Sequence, residues 1–208
     1  VIIDERLKEA FLVRFREAVN DVKVGPAYDL ATVINPLITK NDKERVKALA
    51  IKAQEEMKDY DLEVIVDRTN ESHDSFCVGP AVFSIDSDIP RTGTLAQLEV
   101  FGPMLHIISY KTLDDAISIF NETEYALTGG IYCQSQDDID YILPQLEAGN
   151  IYINRPNTGA RVGIEPFGGF KLSGTGPKAG SRQYLSQFSR FGEIFEEEII
   201  LEDTSVES

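Results

Sequence analysis

Three features of this 208-residue sequence carry residue types that could do chemistry. They are two cysteines, the acidic and aromatic pair within Gln97-Leu98-Glu99-Val100-Phe101-Gly102-Pro103, and the glycine-rich run from Gly149 to Ala179. A cysteine attacks as its thiolate and needs a cationic neighbour or a helix N-terminus to lower its pKa. Cys77 lies in the apolar run Phe76 to Phe83 with only His73 nearby, and Cys133 follows Gly130-Ile131-Tyr132 in what reads as a strand. Both read as small buried hydrophobes. Closely spaced His ligands that would suggest zinc are absent, so no metal site is expected. Taken alone, Glu99 reads as an exposed strand-end residue and Phe101 as core.

The glycine-rich run is the more telling feature. Ile151 and Ile153 alternate with Tyr152, so a short strand delivers the chain into a loop. Gly159, Gly163, Gly168, Gly169, Gly174 and Gly176 then permit positive φ or close backbone approach, while Pro156 and Pro166 stiffen the segment. A stiff loop with bare backbone N–H groups can hold a small anion. A surface turn between packed elements remains open as the alternative. Gly174-Thr175-Gly176-Pro177-Lys178-Ala179 also fits the loose dinucleotide pattern G-x-G-x-x-A. That pattern requires a strand directly before it and a helix opening at its glycines; here glycine-rich chain precedes it and Pro177 interrupts it.

The elements that must position these residues alternate along the chain. Asp4 sits where an N-cap belongs, and Leu7, Phe11, Phe15 and Ala18 then repeat at helical spacing up to Val24-Gly25-Pro26. A second helix is expected from about Asn41, with Val46, Leu49, Ala50, Ala53 and Met57 on one face. Leu62 to Val66 is a strand candidate, Thr69 to Ser75 a polar loop and Met104 to Tyr110 a strand. Thr112 caps a helix with Asp114 and Asp115 in its first turn. Ser135 opens another that Pro144 kinks or ends before Gly149. Tyr184 to Phe191 is semi-helical, and 193 to 208 is an acidic tail with room for a strand. Helices and short apolar strands alternating from end to end imply an α/β domain with a mostly parallel sheet flanked by helices.

Composition narrows the partners. With 20 basic and 35 acidic residues the net charge is -15, so phosphate-rich partners repel the chain and neither nucleic acid nor an anionic membrane is expected. No apolar run reaches the ~20 residues of a membrane span. Two cysteines are too few for a disulfide framework, which fits a reducing, cytoplasmic setting.

The string 157 to 180, Asn-Thr-Gly-Ala-Arg-Val-Gly-Ile-Glu-Pro-Phe-Gly-Gly-Phe-Lys-Leu-Ser-Gly-Thr-Gly-Pro-Lys-Ala-Gly, resembles the aldehyde-anchoring loop of the 1-pyrroline-5-carboxylate dehydrogenase branch of the aldehyde dehydrogenases. It is also similar to the same domain of bifunctional proline-utilisation enzymes. Gln97 to Pro103 resembles the family's Glu-Glu-x-Phe-Gly-Pro motif, with Leu98 in place of the first Glu. Ala31 to Ile38 resembles another landmark, with Asn35 where Gly is usual; Asn tolerates left-handed backbone. The resemblance covers about residues 1 to 190, with 191 to 208 as a tail that the family links to subunit association, though here its sequence departs from the usual one.

What the resemblance implies is specific. The substrate would be glutamate semialdehyde, oxidised to glutamate with NAD in proline catabolism. The amides of Gly159 and Ala160 would hold its α-carboxylate, and Phe167 would pack on its methylenes. Glu99 would accept the ribose diol of the cofactor, and Phe101 would lie beside the nicotinamide. The nucleophilic Cys, the base Glu and the N-terminal cofactor domain would lie upstream of Val1, leaving no catalytic residue in this chain. The isolated chain would then be inactive, and the complete enzyme a homo-oligomer. A non-enzymatic oligomerisation or regulatory module derived from such an enzyme is the open alternative.

Overall fold

The computed structural model describes residues 1–56, 58, 63–71, 75–85, 97–161 and 163–189. β1 (Ile2–Asp4) runs directly into α1 (Glu5–Asp21) because Asp4 switches roles at the junction. Its backbone stays extended while its side chain accepts the Arg6 amide at 2.9 Å, satisfying one of the orphan donors of the first turn. The buried face of α1 is not the one its spacing suggests. Leu7 is 60% exposed and Ala18 is exposed, while Leu12 and Val19 are buried, flanked by half-buried Phe11 and Phe15. The core face is therefore rotated toward Leu12, because α1 must meet Ile65, Val66, Val82 and Ile107 rather than present its longest apolar stripe.

α2 (Lys40–Glu56) follows a loop in which Thr39 accepts the Asp42 amide at 3.1 Å and donates its hydroxyl to Asp42 at 2.7 Å. Val46, Ala50 and Ala53 are buried on its inner face, as their spacing predicts, whereas Met57 lies outside the described residues. Asn35 does not adopt positive φ.

The main sheet runs in the order β1-β4-β3-β2, built from β2 (Glu63–Asp67), β3 (Ala81–Ile85) and β4 (Met104–Tyr110) beside β1. β1 and β3 both pair parallel with β4, and only the edge strand β2 is antiparallel. Parity along β3 decides which helix covers which side. Val82 joins the α1 cluster, while Ala81 and Phe83 join Ala50 and Ala53 of α2. Successive residues point to opposite faces, so the two helices sandwich the sheet. β3 is consequently buried along its whole length, which gives an unbroken apolar run rather than alternation. Each fully buried Ile or Phe there contributes about 1.5–3 kcal/mol.

α3 (Leu113–Asn121) is closed by a capping box: the Asp115 amide donates to the Thr112 hydroxyl at 3.2 Å and the Thr112 amide to the Asp115 carboxylate at 2.9 Å. It seats Ile119 against Ile85 and Ile108. Beyond it lie two small sheets. β5 (Tyr125–Ala126) pairs antiparallel with β8 (Phe170–Lys171), and β6 (Thr128–Ile131) pairs parallel with β7 (Asn150–Ile153). α4 (Gln136–Ile142) gives way at Leu143–Gln145 to a 3-10 turn holding Pro144, so the proline ends the helix. The semi-helical segment is a 3-10 turn at Leu185–Phe188, and the expected tail strand lies outside the described residues. The fold is α/β with a mainly parallel sheet and flanking helices.

Candidate functional site

β7 presents Asn150 and Tyr152 to the interior and leaves Ile151 half-buried and Ile153 exposed, so the polar side of the alternation is the buried one. At its end Asn154 takes φ 53°, a left-handed conformation Asn adopts more readily than most residues. Its amide donates to Ile131 O at 2.8 Å, and its side chain makes two further bonds to the Cys133 backbone, from Cys133 N at 3.0 Å and to Cys133 O at 2.8 Å. This side chain adds one more rung to the β6–β7 ladder and fixes the direction in which the loop leaves. Cys133 is not in a strand: it lies beyond β6, half-buried, with Sγ 3.6 Å from Ser135 O.

The loop itself is closed by charge. Glu165 Oε2 accepts the Arg161 amide at 3.0 Å, and Oε1 meets the Arg155 guanidinium at 3.4 Å. The Arg155 guanidinium also stands 5.1 Å from the Tyr152 ring centroid, a cation–π distance. The hydrogen bond from the Arg161 amide, with Arg155 as a lesser contributor, holds the Glu165 carboxyl below the usual carboxylate range. Gly159 has φ 80° and is exposed, and Ala160 is half-buried. Among the described residues, the amides of Gly159 and Ala160 make no hydrogen bond.

The returning chain is strapped to the start of β7. Lys178 Nζ donates to both Gly149 O and Gly168 O, the latter at 2.8 Å, and the Ala179 amide donates to Phe167 O at 2.7 Å. A Cβ on Gly149 would fall 2.0 Å from Gly168 O, so glycine there serves close approach rather than φ. Phe167 is half-buried beside this strap. Gly174 and Gly176 have positive φ in irregular backbone that no helix follows before Leu185, so the dinucleotide pattern lacks its structural context.

Glu99 is exposed, and Phe101 is 79% exposed with φ 49°, which corrects the core reading of that ring. Gly102 lets this turn lie on α2, since a Cβ there would meet Val46 Cγ2 at 2.6 Å. Arg45 donates to Val100 O at 2.7 Å from the same helix. Phe101 thereby forms one wall of an open groove of about 360 Å³ with Pro36, Leu37, Ile38, Asp42 and Arg45. Cys77 is 2% exposed, so its sulfur is shielded from any solute. Glu99 and Phe101 precede β4 of the main sheet, whereas Gly159, Ala160 and Phe167 follow β7 of a separate small sheet. A flat aromatic and a carboxylate thus stand at one place, and two free amides on a tied loop at another.

The sequence model of the aldehyde dehydrogenase family matches residues 1–194. The chain belongs to that family. Among curated aldehyde dehydrogenases it is 30% identical over 185 residues to a 1-pyrroline-5-carboxylate dehydrogenase from Bacillus pumilus, covering 89% of this chain and 34% of that protein. It is 32% identical over 184 residues to one from Geobacillus sp., covering 88% and 34%. Among solved structures, Thermus 1-pyrroline-5-carboxylate dehydrogenase with bound NAD superposes with a TM-score of 0.79 at 30% identity, covering 90% of this chain and 34% of that one. Proline utilization A from Bdellovibrio bacteriovorus gives 0.78 at 35% identity, covering 90% and 19%. The chain spans about a third of the length of the curated relatives it matches.

Within this aldehyde dehydrogenase chain, sequence reasoning missed the groups that hold the site in shape: Arg45, Asn154, Glu165 and Lys178. A residue able to adopt left-handed backbone at the end of a strand was the one local signal, and it pointed to Asn154. The other three act on backbone atoms distant in sequence or across a loop, which spacing does not reveal.

Proposed function

We propose that this chain is the C-terminal part of an NAD-dependent 1-pyrroline-5-carboxylate dehydrogenase, which oxidises glutamate semialdehyde to glutamate. The observation that carries this reading is the pair of unengaged amides at Gly159 and Ala160 on a loop otherwise tied down, with Phe167 on the same segment. The names of the relatives and the bound NAD of the Thermus structure support it. In this reading the two amides hold the substrate carboxylate and Phe167 lines the methylene chain. Glu99 takes the ribose diol, and the exposed ring of Phe101 shields one side of the nicotinamide. NAD, when bound, accepts the hydride; the residues of this chain orient it and the aldehyde rather than react with them. Residues 1–190 are then one part of the catalytic domain and 191–208 a tail for subunit association. The partner of this part is the cofactor domain of the complete, homo-oligomeric and cytoplasmic enzyme.

Each charge-assisted hydrogen bond to a carboxylate is worth about 1.5–3 kcal/mol, or about 10- to 150-fold. Ala160→Pro deletes one donor. In the complete enzyme it should lower kcat/KM for glutamate semialdehyde by that factor and leave a short uncharged aldehyde nearly unaffected. Equal losses on both substrates would remove the carboxylate anchor from this loop.

A further inference from the structure

The described residues between Arg155 and Glu165 have little packing to hold them. Residues 155–159 are exposed, and a Cβ added to Gly159 would meet no atom within 4 Å. Among the described residues, every hydrogen bond within this segment begins or ends on Arg161 or Glu165. The Arg161 peptide is gripped from both sides: its carbonyl accepts the amides of Ile164 at 3.0 Å and Glu165 at 2.9 Å, and its N–H goes to the Glu165 carboxylate at 3.0 Å. The other carboxylate oxygen reaches back to Arg155, whose guanidinium rests over Tyr152 of β7. One side chain therefore links the far end of the loop to its first residue and, through that residue, to the sheet.

We infer that Glu165 is the positioning residue of the anion-binding amides: its carboxylate fixes the Arg161 N–H and, one and two peptides earlier, sets the direction of the Ala160 and Gly159 N–H groups. The inference rests on the reading that those amides take a carboxylate. It also accounts for why two donors are left open rather than three, since the Arg161 N–H is already engaged. Among the described residues, the charged groups facing Glu165 are Arg155 and Arg161, both cationic, so its negative charge is offset before a second carboxylate approaches. Glu165 is ionised at neutral pH, and the lowered pKa extends that state toward acid. Glutamine at 165 would keep an acceptor for the Arg161 amide and lose the ion pair; alanine would lose both.

The test uses amide NMR of the 208-residue chain and its Glu165→Gln and Glu165→Ala variants, with the dispersed amides of β3 and β4 as the check that each is folded. On lowering the pH, the Arg161 amide of the parent protein should titrate with a midpoint below the usual carboxylate range, and that titration should vanish in E165Q. A flat Arg161 amide in the parent overturns the inference. Heteronuclear NOEs at Gly159 and Ala160 should fall in E165A and stay intermediate in E165Q; unchanged values overturn it as well. L-glutamate, added as the probe, should shift both amides in the parent and bind at least about fivefold more weakly to E165A, with part of the affinity recovered in E165Q. Equal affinity in all three proteins overturns the positioning role. If glutamate leaves both amides of the parent unmoved while Arg161 titrates and the NOEs respond, the clasp stands and the carboxylate-binding function fails.

Discussion

The side chain of Asn154 pairs with both backbone groups of Cys133, accepting from its N–H at 3.0 Å and donating to its carbonyl at 2.8 Å. An amide side chain here stands in for a strand residue at the point where β7 turns away. Two bonds to backbone and a left-handed φ act together, and the two contributions separate by mutation. Asn154→Ala loses both and should destabilise the chain by about 2–3 kcal/mol in urea unfolding. Asn154→Gly regains the backbone freedom and should cost about 1 kcal/mol less. Equal losses for the two variants would mean that φ 53° carries no strain.

Two glycines of the loop should respond to very different extents to a single methyl group. Gly149→Ala drives a Cβ to 2.0 Å from Gly168 O and 2.8 Å from the Gly169 Cα, backbone atoms that cannot rotate aside. It should cost about 3 kcal/mol or more and release the strap, seen as faster amide exchange at Gly176 and Ala179. Gly159→Ala meets open space and should cost only about 1 kcal/mol, from its φ of 80°.

Lys178 is partly buried and serves the carbonyls of Gly149 and Gly168, where a Cβ on the first glycine would collide with the carbonyl of the second. Lys178→Met keeps much of the aliphatic stem and removes both donors. The loss of a charged partner for two acceptors should destabilise the chain by about 2–4 kcal/mol in denaturant titration. A change within experimental scatter would show that water replaces the ammonium freely.

Phe101 keeps a bulky ring in left-handed backbone while burying little of it. Stability alone would not place it there. Phe101→Gly should raise the stability of this chain by about 1 kcal/mol and, in the complete enzyme, weaken NAD binding measured by fluorescence quenching. A variant that gains stability with unchanged NAD affinity would leave the exposed ring without the role proposed for it.

Acid should loosen the start of α1. The hydrogen bonds from Arg6, first from its side chain and then from its backbone, lower the Asp4 pKa from the ordinary 3.8 to about 2. A folded-state pKa below the unfolded one contributes stability that is complete above about pH 4 and is lost as the pH falls toward 2. Asp4→Asn retains an acceptor for the Arg6 amide but removes the titration. Its stability should therefore vary less between pH 4 and pH 2 than that of the parent protein, and an unchanged acid limb would assign that limb to other carboxyl groups.

Much of the architecture was legible because it is periodic. The capping residues Asp4, Thr112 and Ser135, the buried face of α2 and the span Met104–Tyr110 of β4 all follow from local pattern and turn chemistry. The glycine-rich segment was legible as a stiff loop for a related reason, since Gly159, Gly163, Gly174 and Gly176 do adopt positive φ. Gly168 answers to the other half of that expectation: its φ is not positive, and a Cβ there would lie 2.8 Å from Pro177 O, a close approach that the strap imposes. The buried side of α1 was misjudged because Leu7, Phe11 and Phe15 form as good a stripe as Leu12 and Val19, and only the sheet beneath the helix distinguishes them.

By itself, the sequence determined where strands and helices alternate, which loop is glycine-rich and which residues flank it, because these depend on neighbours a few positions away. Only the tertiary structure decided that Phe101 stands out of the core against α2 and that Asn154 extends a ladder to Cys133. It alone joined Glu165 to Arg155 across the loop and set Lys178 against Gly149. Those are meetings of side chains with groups that chain folding brings close, and no periodicity of 2 or 3.6 residues encodes them.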